Sequence, residues 1–416
     1  MFPEIAYLDW IVGRPERADY DLGSSDLVRA ESTTGGGGPD VSSQSDANAG
    51  SNVNSGPDAN AGSAAGGVVP PALGDRPTPD ATAAELLAEL YGVSPENVLV
   101  TAGATHANFL AMAASLPGRT QPSENGDSTS ENTDEMSDHR VLVEKPGYEP
   151  LLATPRGLGA TVDRFLRPAA EGYSLEPDRV AGAVVEDTAL VVITNRHNPS
   201  GRRVGRDGLA DVASAVADAN ASGESEGDAR LLVDEVYSPF GDEEVEGPFG
   251  GPTAAGLDGV VVTSSLTKLF GLGDVRVGWL VADAEFVARA RSVAHHVPAV
   301  SAVSERLARR ALADADRLAG IARERVRTNH DALSSFVDGR DDLSGTVEPG
   351  SPYAFLEHES ADGTAVAGAA WNDGVLVVPG RFFDDPDRFR LAACRDPEMV
   401  RAGLDRLGGV LDGLSE

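Results

Sequence analysis

TSSLTKLFGLGDVRVGW, residues 263–279, is the stretch on which the reading of this chain turns. It continues an apolar, β-branched run (residues 259–264) and places Ser265, Lys268 and Arg276 at spacings of three and eight. Open α/β sheets bind ligands at the carboxyl ends of their strands. A hydroxyl three residues from an amine, with a guanidinium eight further on, suits a phosphate held beside a lysine-bound carbonyl. The planar fork of arginine can make two bonds to such a phosphate at once. Gly271, Gly273 and Gly278 let backbone pass close to a ligand. They do not form a strand–GxGxxG–helix unit, which argues against a dinucleotide. A buried lysine paired with an acid would also account for Lys268 taken alone, so its neighbours must decide.

The rest of the chain makes that lysine conspicuous. Only Lys145 and Lys268 occur among 34 basic residues, against 66 acidic ones, for a net charge of −32. Capture of an aldehyde needs an amine, and arginine cannot substitute because its pKa stays above about 12. The acidic balance opposes nucleic acid and anionic membranes as partners. It suits a halophile's cytoplasm, where salt near 1 M shortens the Debye length to about 3 Å and screens self-repulsion; drift in genome composition toward arginine is the competing explanation. No apolar run reaches the roughly 20 residues of a membrane span, and residues 1–10 lack the features of a signal peptide. The single cysteine, Cys394, forms neither an internal disulfide nor a metal cluster with the scattered histidines. These features predict a cytoplasmic, metal-free enzyme.

Strand-like segments at residues 97–101, 140–144, 189–194, 230–234, 259–264 and 277–282 alternate with helical patterns at 82–91, 106–115 and 208–220. This alternation predicts an α/β fold, a mostly parallel sheet flanked by helices, over residues 70–285. A long amphipathic stretch (284–337), strand-like 346–357, 374–379 and 388–393, and a helix from Pro397 predict a smaller α+β domain over residues 286–416. Residues 1–30 form a separate leading segment. Residues 31–67, rich in Gly, Ser, Asn and Asp, read as a disordered insertion. Residues 118–139 and 221–229 read as acidic solvated loops.

Five further segments carry chemistry. In LLVDEVY (231–237), a buried strand ends in Asp234, with Tyr237 three residues on; alone, Asp234 fits a helix N-cap equally well. TNRHNPSG (194–201) follows another strand and contains Asn198; an isolated Asn-Pro turn would look similar. VTAGATHA (100–107) runs from a strand through Gly103 into a helix, whose first N–H groups at Ala104 and Thr105 suit a phosphate. EKPGY (144–148) ends in Tyr148, whose ring is either a stacking face or core. DRFRLAA (387–393) presents Arg390 beside Arg388, with Arg395 close behind.

Taken together and in this order, the segments resemble those of the class I and II aminotransferases, the fold-type I pyridoxal-phosphate enzymes; the likeness spans about residues 70–410. The resemblance implies pyridoxal 5′-phosphate bound as a Schiff base on Lys268. Ser265, Arg276, Gly103, Ala104 and Thr105 would hold its phosphate. Asp234 would face the pyridinium nitrogen, Tyr237 and Asn198 the ring oxygen, and Tyr148 the ring face. Arg390, with Asn198, would clamp the substrate α-carboxylate, while Arg388 and Arg395 would be solvent-facing or paired. DLGSSDL (21–27) resembles the substrate-covering segment, which puts Gly23 at the site. The activity implied is ping-pong transfer of an amino group between an L-amino acid and a 2-oxo acid, in a homodimer. The same residues also serve decarboxylases, β-eliminating lyases and cyclising enzymes of this fold, and a non-catalytic regulator is the remote alternative.

Some positions depart from the pattern. Arg196 replaces the first proline of the family's N-P-x-N-P-[ST]-G loop. Residues 70–76 (PPALGDR) lack the tyrosine commonly lent to the neighbouring subunit's phosphate. His106 stands where Glu or Gln is common and reads as a neighbour of the site or a surface position. His295 and His296 fall in a stretch that often borders the partner's site. Lys145 reads as a surface residue.

Overall fold

A computed structural model describes residues 2–27, 70–74, 76–116, 139–221, 229–241, 247–298 and 300–415. The expected insertion at 31–67 lies outside the described residues, as does nearly all of 118–139 and 221–229.

The chain opens with the helix Ala6–Ile11 and a two-residue strand, β1 (Tyr20–Asp21). A seven-stranded sheet follows, built from β2 (Val98–Thr101), β3 (Arg140–Lys145), β4 (Thr161–Leu166), β5 (Thr188–Thr194), β6 (Arg230–Asp234), β7 (Val260–Ser265) and β8 (Gly278–Val281). Their spatial order is β2-β8-β7-β6-β5-β3-β4, and only β8 runs antiparallel to its neighbours. Residues alternate between two cores. Leu142, Val191, Ile193, Val233 and Val262 pack with the helices Ala83–Tyr91 and Arg206–Ala221 on one face. Val141, Val143, Val192, Leu232 and Val261 pack with Ala104–Ser115, Pro150–Gly157 and Ala284–Ala294 on the other. Both faces are dry, which is why these strands read as continuous apolar runs.

The edge strand β4 is not among the predicted strands. TVDRFL is mostly half-exposed and shows no such run. Arg140 at the start of β3 reaches Asp163 on β4 through two hydrogen bonds of 2.6 and 2.8 Å.

A second sheet, order β12-β13-β10-β9, is antiparallel: β9 (Leu343–Ser344), β10 (Tyr353–His358), β12 (Val378–Pro379) and β13 (Arg388–Ala392). Between β10 and β12, β11 (Val375–Leu376) pairs in parallel with β1 and ties the leading segment to this unit. Residues 284–337 form three helices, not one stretch: Ala284–Ala294, Ala302–Leu312 and Ala315–Asp338. Pro298 interrupts the first pair, and Ser301 caps the second helix by accepting from Ser304 N–H. Leu307 to Val326 pack in the large-sheet core, whereas Leu333 and Val337 pack in the small-sheet core. Packing therefore changes partner inside the long helix rather than at residue 286.

Candidate active site

Because β2, β3, β5, β6 and β7 are parallel, their carboxyl ends share one edge, and antiparallel β8 begins there. Thr101, Lys145, Thr194, Asp234 and Ser265 end those five strands, and Arg276 sits just before β8. A cavity of about 180 Å³ at this edge is lined by Ala104, Thr105, Tyr148, Asn198, Asp234, Tyr237, Ser265, Lys268, Arg276 and Arg390. The sequence reading thus finds ten of its site residues in one cavity. Gly103 and Gly23 stand immediately behind it.

At one end lies an anion cradle. Gly103, at φ +94°, caps the twelve-residue helix Ala104–Ser115, whose first N–H groups lack acceptors within the helix. The Arg276 guanidinium lies across it and donates to Ala102 O at 3.3 Å. Strand and helix meet backbone to backbone: a Cβ on Gly278 would come within 2.5 Å of Gly103 C and 2.7 Å of Ala104 N. Only glycine fits there, so Gly278 sets the distance between Arg276 and the helix terminus. His106 lies just outside the cavity, partly buried; its Nδ1 accepts from Ala102 N–H at 3.1 Å, and burial lowers its pKa.

The middle is a buried carboxylate in a polar frame. Asp234 accepts from Asn108 Nδ2 at 2.8 Å and Val236 N–H at 3.1 Å. Asn108 Oδ1 accepts in turn from the Thr263 hydroxyl at 2.5 Å. Burial pushes the Asp234 carboxyl above its ordinary value despite these donors. Tyr237 OH and Ser25 Oγ share a hydrogen bond of 2.5 Å, and the Lys268 ammonium sits 5.5 Å from the Tyr237 ring centroid. Burial disfavours the charged amine, but Tyr237, Asp26, Tyr148 and Tyr7 favour it and leave its pKa raised.

At the far end is Arg390, only 1% exposed. It donates to Asn198 Oδ1 at 2.8 Å and to the Gly23 carbonyl at 3.0 Å. Its Nε has no partner, and no carboxylate pairs with it among the described residues. A Cβ on Gly23 would lie 2.8 Å from Leu376 Cγ, so any larger residue would have to displace that side chain. The neighbouring arginines are otherwise engaged: Arg388 with Glu357 at 2.7 Å, Arg395 with Asp21 at 2.7 Å.

Six lining residues escaped the sequence reading: Tyr7, Ser25, Asn108, Thr194, Val236 and Thr267. Tyr7 comes from the leading helix, held where Glu149 accepts the N–H groups of Ala6 and Tyr7 at 3.1 and 2.6 Å. Its ring meets Tyr148 edge-on at 5.7 Å, and its phenol lies near enough to Arg390 to favour the charged guanidinium. Asn108 was legible as the one amide in an otherwise apolar helix turn, ANFLAMA. Lys145 lies outside the cavity, partly buried, and His295 and His296 are exposed beyond it. Arg196 is a buried brace that donates to Phe240 O at 3.0 Å and Pro349 O at 2.8 Å; glycines 241 and 350 leave room for it.

A sequence profile described as aminotransferase class I and II matches residues 76–407. The chain belongs to that family. It is a pyridoxal-phosphate-dependent aminotransferase, and the cavity's donor set fits the cofactor: an anion cradle, a buried carboxylate and an amine line one cavity. The chain is 29% identical over 330 residues to histidinol-phosphate aminotransferase of Halorubrum lacusprofundi, covering 79% of this chain and 78% of that protein. It is 28% identical over 267 residues to capreomycidine synthase of Streptomyces vinaceus, covering 63% of this chain and 66% of that protein, just under two thirds. Among solved structures, an aminotransferase from Streptococcus suis 89-1591 superposes with a TM-score of 0.74 at 20% identity, over 100% of this chain and 99% of that one. At that identity the likeness speaks for the fold. No helix among the described residues is long and apolar enough to cross a membrane.

Proposed function

We propose that this aminotransferase acts on an α-amino carboxylate, with Lys268 as the amine that carries the cofactor and moves the proton, and Arg390 as the clamp on the substrate. The observation behind this reading is Arg390 itself. A guanidinium this deeply buried, with no carboxylate partner and an unpartnered Nε, is costly unless an anion completes it, and it shares a cavity with Lys268.

Pyridoxal phosphate, when bound, supplies an aldehyde to receive the amino group and a ring that withdraws electrons from the substrate Cα. This chain's residues do the rest. Ala104, Thr105, Ser265 and Arg276 anchor the phosphate. Asp234 keeps a proton on the ring nitrogen; that cation would in turn hold the buried carboxyl ionised. Tyr237 and Asn198 donate toward the ring oxygen, and Tyr148 flanks the ring. Arg390 fixes the carboxylate, which selects the Cα bond that breaks. The Lys268 amine takes the Cα proton and returns it one position along, and ping-pong kinetics follow.

The finer setting follows from charge and kinship. A net charge of −32 and a relative in Halorubrum support a cytoplasmic enzyme of a halophile, and the homodimer is what the family resemblance implies. The likeness to capreomycidine synthase favours one second reading, a cyclising reaction on the same cofactor. Absorbance spectroscopy separates the two. An aminotransferase given an amino acid alone converts its cofactor stoichiometrically to the amine form and releases an equal amount of 2-oxo acid. Turnover of the donor without conversion of the cofactor would favour the cyclase.

A further inference from the structure

Behind the cavity wall lies a buried ion pair that the reaction scheme does not use. Glu144 and Arg167 are 0% and 1% exposed, and Arg167 Nη1 donates to Glu144 Oε2 at 2.7 Å. The other carboxylate oxygen, Oε1, accepts twice from Thr194: from its N–H at 2.7 Å and its hydroxyl at 2.5 Å. The same Thr194 hydroxyl accepts from Asn198 N–H at 3.0 Å, and Asn198 Oδ1 accepts from Arg390 at 2.8 Å.

The polarity of this chain of bonds is forced. A guanidinium only donates and a carboxylate only accepts. Thr194 has one hydroxyl proton and must give it to Glu144, so its lone pairs are left to receive Asn198 N–H. The oxygen of the Asn198 amide must face Arg390, which leaves the NH2 group free to donate. The buried anion therefore orients the Thr194 hydroxyl, which holds the Asn198 backbone N–H, while Arg390 sets the facing of the Asn198 side-chain amide. A charged acceptor orients that hydroxyl more firmly than a neutral one, because charge-assisted bonds are about twice as strong.

We propose that Glu144 is a positioning residue for Asn198: acting through Thr194, it anchors the Asn198 backbone N–H and so holds the residue where its side-chain oxygen meets Arg390 and its NH2 group faces the cavity. This rests on the function proposed above for what Asn198 touches, but the bond chain itself does not. Arg167 keeps the Glu144 charge compensated.

Thr194→Val tests the link without leaving a charge unpaired, since Glu144 keeps Arg167 and the Thr194 backbone N–H. Thr194→Ser is the conservative control, and Glu144→Gln tests the charge. In Thr194→Val, hydrogen exchange at the Asn198 backbone amide should accelerate by roughly two- to twelvefold, the loss of one ordinary hydrogen bond. Thr194→Ser should restore it. In the holoenzyme, KM for the amino donor should rise by a similar factor. The pH midpoint of the cofactor's visible absorbance should move up by roughly 0.4 to 1 unit, because a ring oxygen that loses a donor holds its proton longer. Cofactor retention through dialysis should not change. Glu144→Gln should move KM and midpoint the same way. Exchange at Asn198 unchanged in Thr194→Val would overturn the bond chain. Faster exchange with KM and midpoint unmoved would reduce Glu144 to a structural pair and overturn the proposal. A wild-type protein with no cofactor absorbance would instead sink the functional reading, and the exchange rates would still decide the chain.

Discussion

Replacing Arg390 by Lys keeps a cation at the far end of the cavity and removes the fork. In the structure two of the guanidinium's donors go to Asn198 and Gly23, and its Nε and remaining N–H groups are left for a carboxylate. An ammonium has three donors on a flexible stem and cannot serve both protein acceptors and bind a carboxylate in two places. The loss should be about 1.5–3 kcal/mol, the worth of a charge-assisted hydrogen bond, or roughly 10- to 150-fold in kcat/KM. The assay is steady-state kinetics with the best amino donor, paired with cofactor loss during dialysis. Arg276→Lys is the counterpart, since Arg276 lies at the phosphate cradle. It should shed pyridoxal phosphate first and lose turnover as a consequence. If Arg390→Lys releases cofactor while Arg276→Lys retains it and binds substrate poorly, the two ends of the cavity have been assigned the wrong way round.

Two further outcomes follow from packing and charge. Gly278→Ala forces a methyl against three backbone atoms within 2.7 Å; overpacking of this kind costs about 1–3 kcal/mol, so Tm should fall and cofactor affinity with it, and an unchanged Tm would refute the close approach. Burial pushes the Glu235 carboxyl from 4.5 to about 8. Its neutral form is favoured on folding, so its contribution is complete below pH 4.5 and is lost as pH rises to about 8, at about 1.4 kcal/mol per pH unit. Glu235→Gln should flatten the fall in stability between pH 5 and 8 in denaturant titrations, and a slope equal to wild type would contradict the assignment.

The sheet was legible because both of its faces are buried. Each strand with that environment, such as β5 (TALVVIT), shows as an unbroken apolar run and is found within a residue or so of its bounds. The edge strand β4 lies outside the rule and left no such run. Site residues at strand ends were legible for the same reason, because the strand marks the edge and the polar residue after it marks the cavity. Tyr7 and Arg390 illustrate the limit. Arg390 stands in a strand with a recognisable pattern, whereas Tyr7 arrives from the other end of the chain on a six-residue helix, and its place depends on Glu149 some 140 residues away. The buried pair Glu144–Arg167 was invisible for a related reason: EKPGY pointed to the tyrosine, and nothing local in the sequence pairs its glutamate with an arginine 23 residues on.

The most direct test of the account is the spectrum of Lys268→Ala beside Lys145→Ala. The chain has these two lysines and no others. Lys268→Ala should bind pyridoxal phosphate without the visible absorbance of a lysine-bound cofactor and should lose turnover, while Lys145→Ala should keep both. Turnover retained in Lys268→Ala, or lost in Lys145→Ala with Lys268 intact, would contradict the central assignment.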